Sequence, residues 1–295
     1  MLAPRYRLRS LPLIVLFIIL IPISGWSQRI FATLFAGASN YSGDLQEKRF
    51  TFQQAHPAGG LGLMFEVTDK IFIQGEFKFG KISAADKYSK NYKRNLSFYS
   101  HLYEFSLRGE YAILNPYDHK ISPCIFAGIA LFDFAPYADD AQGTPVLLPE
   151  KSTEGQGFIE GRNPYKLRQF SIPFGGGLQW TISHNSRLGV YLGFRKTFTD
   201  YIDDVSTTYV DELQLSQAKG ASAAQIAYRG DEIPNGAPYP PAGTQRGNPK
   251  SLDWYYFTGI SYRVRLFAKG KRKYDISDDG RYHGRKGRVG CPRVF

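Results

Sequence analysis

The chain has little of what metal and redox sites are made from. Its 295 residues include two cysteines and two methionines, and the five histidines at positions 56, 101, 119, 184 and 283 fall one to a segment, with no pair at metal-ligand spacing. Metal binding is therefore unsupported, and neither a cofactor nor an enzymatic role is expected. Long apolar runs are equally scarce. The only continuous one, Leu11 to Ile23, is thirteen residues long, where a membrane-spanning helix needs about 20. Arg5, Arg7 and Arg9 precede it and Ser24-Gly25-Trp26-Ser27 follows. That order describes a secretory signal over residues 1–27, cut before Gln28, which carries the mature chain out of the cytoplasm.

What the chain has in quantity is 22 Phe, 20 Tyr and 30 Gly, a mixture that favours strands and tight turns over helices. Asp253 to Phe267 shows the pattern most fully. Tyr256, Thr258, Ile260, Tyr262, Val264 and Leu266 alternate with Tyr255, Phe257, Gly259, Ser261, Arg263 and Arg265, so a strand carries one apolar face and one face of small, polar and basic groups. An apolar side backed by arginine reads as a lipid-facing side. Such a strand cannot stand alone in a bilayer, because its backbone polar groups need partners, so it must belong to a closed barrel.

Seven further stretches supply the companions: Arg29 to Gly37, whose two faces are both apolar, then Ala58 to Val67, Ile71 to Lys81, Phe98 to Ile113, Pro123 to Asp133, Phe170 to Thr181 and Leu188 to Thr199. Three connections are short and four are long, the long ones being 40–56, 82–97, 135–167 and 200–252. The expected fold is all-β: an eight-stranded antiparallel up-and-down transmembrane β-barrel over residues 28–268. Its short turns, both chain ends and a basic tail over residues 269–295 are expected on the periplasmic side, with its long loops outside the cell. A soluble lipocalin-like barrel would turn these apolar rows inward and leave glutamate, lysine and arginine in its core. Pro238 to Gly243 in the fourth loop suggests irregular or partly disordered structure there.

Eight strands leave an interior that side chains can fill. Glu66, Glu76, Glu104 and Glu110 face it with Lys78, Arg108, Arg195, Arg263 and Arg265, a set able to neutralise itself, as buried charges must. A plugged interior is preferred over an ion pathway. The formal net charge of +11 belongs mostly to the ends of the chain, and barrel and loops keep about +2 once signal and tail are set aside. The tail cations Lys269, Lys271, Arg272, Lys273, Arg285, Lys286 and Arg288 suit an acidic protein surface or anionic lipid headgroups better than nucleic acid, unless the tail is simply solvated. Asp275 to Gly280 imitates the start of a calcium loop, but its twelfth position is Lys286 and not glutamate. Ser100-His101 near a barrel rim lacks an identifiable orienting acid, so an interfacial histidine is the simpler reading.

Cys124 is expected inward near the end of the fifth strand, and Cys291 lies in the tail. In an oxidising compartment three fates are open to Cys291: a free thiol, a bond to Cys124, or a bond to another protein. A mobile basic tail reads best as a tether.

After the first strand comes Asn40-Tyr41-Ser42-Gly43-Asp44-Leu45, a loop start by its turn formers. With the eight-strand plan, the start at Gln28 and the long fourth loop, this stretch resembles the PorG-like family of outer-membrane barrels of the Bacteroidota, associated with the type IX secretion system. The resemblance covers about Gln28 to Phe267. It implies a non-enzymatic component that anchors a periplasmic ring, made of a lipoprotein and its partner subunit, to the outer membrane. It also implies a cysteine bond from barrel protein to ring lipoprotein, for which Cys291 is the best placed residue. Outer-membrane lipid and the ring subunits are thus the expected partners, and Asn40, Tyr41, Gly43, Asp44 and Leu45 the family-like loop motif. The alternatives are a passive barrel, serving envelope structure or binding a small ligand through its loops, and a lipid-modifying enzyme using Ser100 or His101.

Overall fold

The computed structural model describes residues 29–46, 51 and 53–267, together with the two-residue strands Asp275–Ile276 and Tyr282–His283. The expected signal, the tail cations Lys269, Lys271, Arg272, Lys273, Arg285, Lys286 and Arg288, and Cys291 lie outside the described residues, as does most of the calcium-like stretch.

Alternating side chains become strands wherever one face can be left to lipid. They are β1 (Ile30–Ser42), β2 (His56–Glu66), β3 (Ile71–Ala85), β4 (Ser97–Ala112), β5 (Ile121–Asp139), β7 (Arg168–Ser183), β8 (Ser186–Thr197) and β9 (Trp254–Arg265), with the short β6 (Pro145–Leu147) added along β5. Each pairs antiparallel with its neighbours, β1 with β9 closes the circle, and the result is an eight-stranded barrel. Both ends of the barrel chain lie with the three short turns, after β2, β4 and β7, and the four long loops share the other end.

Outward residues form an apolar band. Phe170 is 65% exposed, Ile129 62% and Phe105 59%, all in the outward rows. No helix among the described residues is long and apolar enough to cross a membrane; the strands do so instead. Exposure of this much aromatic and aliphatic surface in water would be untenable, whereas in a bilayer it is the contact surface. The fold is a transmembrane barrel of the outer-membrane type.

Three strands run further than alternation alone indicates: β1 to Ser42, β3 to Ala85 and β5 to Asp139. Toward the long loops β1 and β3 bury residues of both faces, as at Asn40 and Tyr41 and at Ser83 and Ala84, so the two-sided contrast that marks a membrane strand disappears, while the outward row of β5 ends in half-buried Ala135, Tyr137 and Asp139. The fourth loop is irregular at Pro238 to Gly243, as its Pro and Gly content indicates, but carries helices before it. Residues 198–253 are neither irregular throughout nor separate from the barrel. They contain α2 (Glu212–Lys219), capped by Asp211 accepting from Gln214 N at 2.9 Å, and α3 (Ala221–Ala227). With α1 (Leu148–Lys151) of the third loop they close the barrel mouth. Ile202, Val205, Ile226 and Leu148 join Phe98, Phe132, Phe134 and Phe257 in one buried cluster, while Val210 and Leu215 pack with three alanines of α3 in a second. Apolar residues spaced irregularly in a loop carry no periodic signal, and burial over the mouth orders them.

Candidate functional site

Inside the barrel, inward parity brings opposite charges from different strands to the same level. Arg195 on β8 forks onto Glu104 on β4, with Nε and Nη2 each 2.8 Å from a carboxylate oxygen, and Tyr255 donates to the same group at 2.8 Å. Arg263 on β9 forks onto Glu110 with both bonds at 2.7 Å, and Gln179 donates to it at 2.6 Å. Glu76 is shared between Lys78 and Arg108, the latter at 3.2 Å. Nearer the short turns, Glu66 meets Arg29 at 2.9 Å and Arg187 at 3.8 Å, and accepts from Tyr117. Arg265 stays apart, half-buried at the end of β9.

Arg29 and Arg265 apart, these groups are almost wholly withdrawn from solvent, so each buried charge is tolerable only because its partner is in place. A void of about 10 Å³ between Lys78, Arg108, Phe126, Tyr191 and Arg195 is barely the size of one water. Rings fill the lumen around Glu104, Arg195 and Lys78: Phe132 and Tyr255 lie 5.1 Å apart, and Phe35 and Phe257 6.2 Å. The interior is filled.

In this network sequence reasoning missed Arg29, Arg187, Gln179, Tyr117 and Gln74, whose Oε1 accepts from Arg108 at 3.0 Å and Arg263 at 3.3 Å. Parity could have found Arg187, which is eight residues before Arg195 on the same face of one strand. The glutamines carry no charge to draw notice, and Tyr117 reaches in from a turn.

The long-loop end is built differently. Asp44, Glu154, Asp200, Asp203, Asp204 and Asp253 gather there with Arg94 and Arg246. Tyr41 Oη lies 2.6 Å from Asp203 Oδ2 and 2.6 Å from Asp253 Oδ1. A phenol owns one proton and can donate to one carboxylate, so the second contact requires a proton on a carboxyl. The other two oxygens are occupied, Asp203 Oδ1 accepting from Val205 N at 2.9 Å and Asp253 Oδ2 from Ile202 N at 2.8 Å. Burial, followed by the charge of Asp44, raises Asp203 to about 8. Burial and the neighbouring Asp203 push Asp253 well above the usual carboxylate range. Asp200 is raised to about 8 by burial and then by Asp44 and Asp203, and Asp204 to about 6 by burial, which Arg246 opposes.

Two arginines hold the loops around this acid. Arg94 forks onto Asp86 at 2.7 Å on both arms and donates to the carbonyls of Asp44 and Arg246, tying the first, second and fourth loops. Arg246 reaches Glu154 at 3.0 Å, and Glu154 also accepts from Ser206 N, Thr207 N and Thr207 Oγ1.

The motif expected as a loop start is part of this clamp. Asn40 and Tyr41 still belong to β1, both buried. Asp44 Oδ2 accepts from Asn248 N at 2.7 Å, and Leu45 is buried in the large cluster. A Cβ on Gly43 would fall 1.9 Å from Asp253 Oδ1 and 2.0 Å from Tyr41 Oη, which leaves room for glycine alone.

Ser100 and His101 cannot act together. Ser100 faces inward and accepts from Ala135 N at 3.0 Å, whereas His101 faces outward and stacks on Tyr137 with centroids 5.8 Å apart. Among the described residues no group of three His, Cys, Asp or Glu is arranged to hold a metal. Cys124 is a buried free thiol whose Sγ lies 3.5 Å from Gly177 O. A groove of about 1370 Å³ opens at the long-loop end, lined by Lys93, Arg94, Tyr209, Arg246 and Trp254 among others.

A closed barrel with an apolar outer wall and a filled, ion-paired lumen defines an outer-membrane β-barrel protein. Residues 9–219 match the family described as a domain of unknown function, DUF6089, and the chain belongs to that family. No curated protein matches the chain. Among solved structures it is similar to neisserial surface protein A, NspA, at 10% identity and a TM-score of 0.42, covering 80% of this chain and 97% of that one. Ail, the attachment invasion locus protein of Yersinia pestis, in complex with the heparin analogue sucrose octasulfate, aligns at 10% identity and a TM-score of 0.38, covering 81% and 100%. The N-terminal barrel domain of Pseudomonas aeruginosa OprF aligns at 11% identity and a TM-score of 0.34, covering 82% and 100%.

Proposed function

We propose that the protein is a non-enzymatic component of the type IX protein secretion machinery, in which the barrel anchors a periplasmic lipoprotein-containing ring to the outer membrane. The filled lumen carries this reading, since an interior of paired charges and packed rings gives a rigid hold on the membrane and offers cargo no passage. The PorG-like resemblance supplies the machine. In this arrangement the short turns and both barrel ends face the periplasm, the cations of residues 269–295 lie against the ring, and Cys291 bonds to the lipoprotein. Copurification from native outer membranes tests it. The full chain is expected to bring down periplasmic subunits, and deletion of residues 269–295 to release them with the barrel still inserted. On a non-reducing gel a heavier band should vanish with reductant and with Cys291→Ser. Failure of the full chain to retain any periplasmic subunit overturns the anchor. A second reading, a passive barrel that binds a small ligand through its loops, is favoured by the groove of about 1370 Å³.

A further inference from the structure

We propose that the outer wall of the barrel binds the phosphorylated headgroup of an outer-leaflet glycolipid at Lys81, Tyr99, His101 and Tyr137. The inference rests on the orientation proposed above, with the long loops outside the cell.

The four residues come from three adjacent strands. Lys81 on β3 pairs in register with His101 on β4, and Tyr99 on β4 with Tyr137 on β5. All four occupy outward positions. Lys81 Nζ sits 4.2 Å from the centroid of the Tyr99 ring and 5.5 Å from that of Tyr137. The Tyr99 and Tyr137 rings stack at 5.7 Å, and His101 stacks on Tyr137 at 5.8 Å. The ammonium is therefore held on aromatic faces rather than left to wander, which reduces the ordering needed when an anion arrives.

Depth in the membrane selects the ligand. Ten residues separate Tyr111 from His101 on β4, and ten separate Ile71 from Lys81 on β3. At about 3.3 Å per residue and a tilt of about 40°, ten residues rise about 25 Å, the height of the apolar band. Lys81 and His101 thus stand at its upper edge, in the headgroup layer. The row just below them is apolar apart from Asp133, which Arg168 neutralises with bonds of 2.7 and 3.0 Å. No carboxylate pairs with Lys81 among the described residues. A basic pair with a cross-strand spacing of about 5 Å suits the oxygens of one phosphate, and the neighbouring tyrosine faces suit the C–H faces of a sugar ring. A glycerophospholipid would supply the phosphate without the sugar.

The test is native mass spectrometry of the full-length protein in detergent, titrated with lipid A carrying two phosphates, with its dephosphorylated form and with phosphatidylglycerol. The wild type is expected to prefer the phosphorylated glycolipid over both. Lys81→Ala with His101→Ala should weaken that binding about tenfold. Lys120→Ala, which alters a lysine 5.8 Å from Trp180 at the opposite girdle, should leave it unchanged. Heat-modifiable gel migration verifies that each variant keeps its barrel. Equal binding of the dephosphorylated lipid or of phosphatidylglycerol by the wild type, or undiminished binding by the double variant, overturns the proposal. Because the assay contains no partner subunit, either result leaves the copurification test of the anchor standing.

Discussion

The lumen and the cap both bury carboxylates, and they make them tolerable by opposite means. In the lumen each glutamate meets an arginine or lysine, as in Glu104 with Arg195 and Glu110 with Arg263. In the cap, Asp203 and Asp253 face each other across one phenol, and Asp200 lies nearby. Pairing opposite charges needs strands that deliver them from opposite sides of a closed ring, and the inward parity of eight strands does that. A loop folded over the mouth has no such symmetry: Arg94 and Arg246 serve Asp86 and Glu154, while Asp200, Asp203 and Asp253 are pushed toward the protonated form by burial and by one another. The barrel interior is consequently built to keep its charge state, while the cap is built to change it.

The largest expected effect is in the lumen. Arg195→Ala leaves Glu104 buried with Tyr255 as its hydrogen-bond partner and only the more distant Lys78 as a counter-charge, and stranding one half of a buried pair costs about 3–5 kcal/mol. Thermal unfolding of the barrel in detergent should show the loss, and Glu104→Gln added to Arg195→Met should restore most of it. If the single and double variants unfold alike, the lumen is not held by pairing. Next comes Glu154→Ala, which removes five hydrogen-bond contacts and leaves Arg246 only the carbonyls of Asp204 and Ala227 and the Asp204 carboxylate at 3.9 Å. It should cost about 3 kcal/mol, confined to the cap: limited proteolysis within residues 198–253 should accelerate while heat-modifiable migration of the barrel persists.

Acidity sharpens the contrast. A carboxyl whose pKa is raised by folding binds its proton more tightly in the folded state, so between its unfolded value of about 4 and its folded value the native chain holds more protons than the unfolded one. Stability contributed by such a group falls as pH rises through that window. For Asp200 and Asp203, each raised to about 8, the cap should loosen progressively from about pH 4 and reach its weakest state above about pH 8. Hydrogen exchange over residues 200–206, corrected for the intrinsic rate, should report faster opening at high pH. Tyr41→Phe removes the shared donor at a cost of about 1–2 kcal/mol and should open the same segment at every pH. A pH-independent cap in the wild type would show that these acids carry no extra proton.

The difference between the two regions also explains what the sequence revealed. Alternation located seven of the eight membrane strands because lipid imposes one apolar face, and Ile73, Phe105 and Ile260 advertise it residue by residue, whereas the first strand is apolar on both faces. The cap has no such rule. Tyr41 reads as a strand or turn residue, and its role depends on Asp203 and Asp253, 162 and 212 positions away. The aspartates of Asp200-Tyr201-Ile202-Asp203-Asp204 stood in plain view, yet a run of acids in a long loop ordinarily means a solvated surface. Only the folding of residues 198–253 onto the mouth, driven by scattered residues such as Ile202 and Val205, takes those acids out of water.

The smallest effect belongs to a charge pair that lies in neither region. Arg168 and Asp133 form a fork on the outer wall with side chains 68% and 45% exposed. Its geometry resembles that of Arg195 with Glu104, including two parallel bonds, so distance alone would rank them together. Position makes the distinction: the outer pair stands one row below Lys81 and His101, at the border of the headgroup layer, where water and ions reach it, whereas the lumen pair is sealed from both. Arg168→Ala should therefore leave the unfolding midpoint unchanged, in salt or without it. A drop comparable to that of Arg195→Ala would mean that the outer wall at this height is drier than its exposure indicates, and the upper edge of the apolar band would have to be moved toward the long loops.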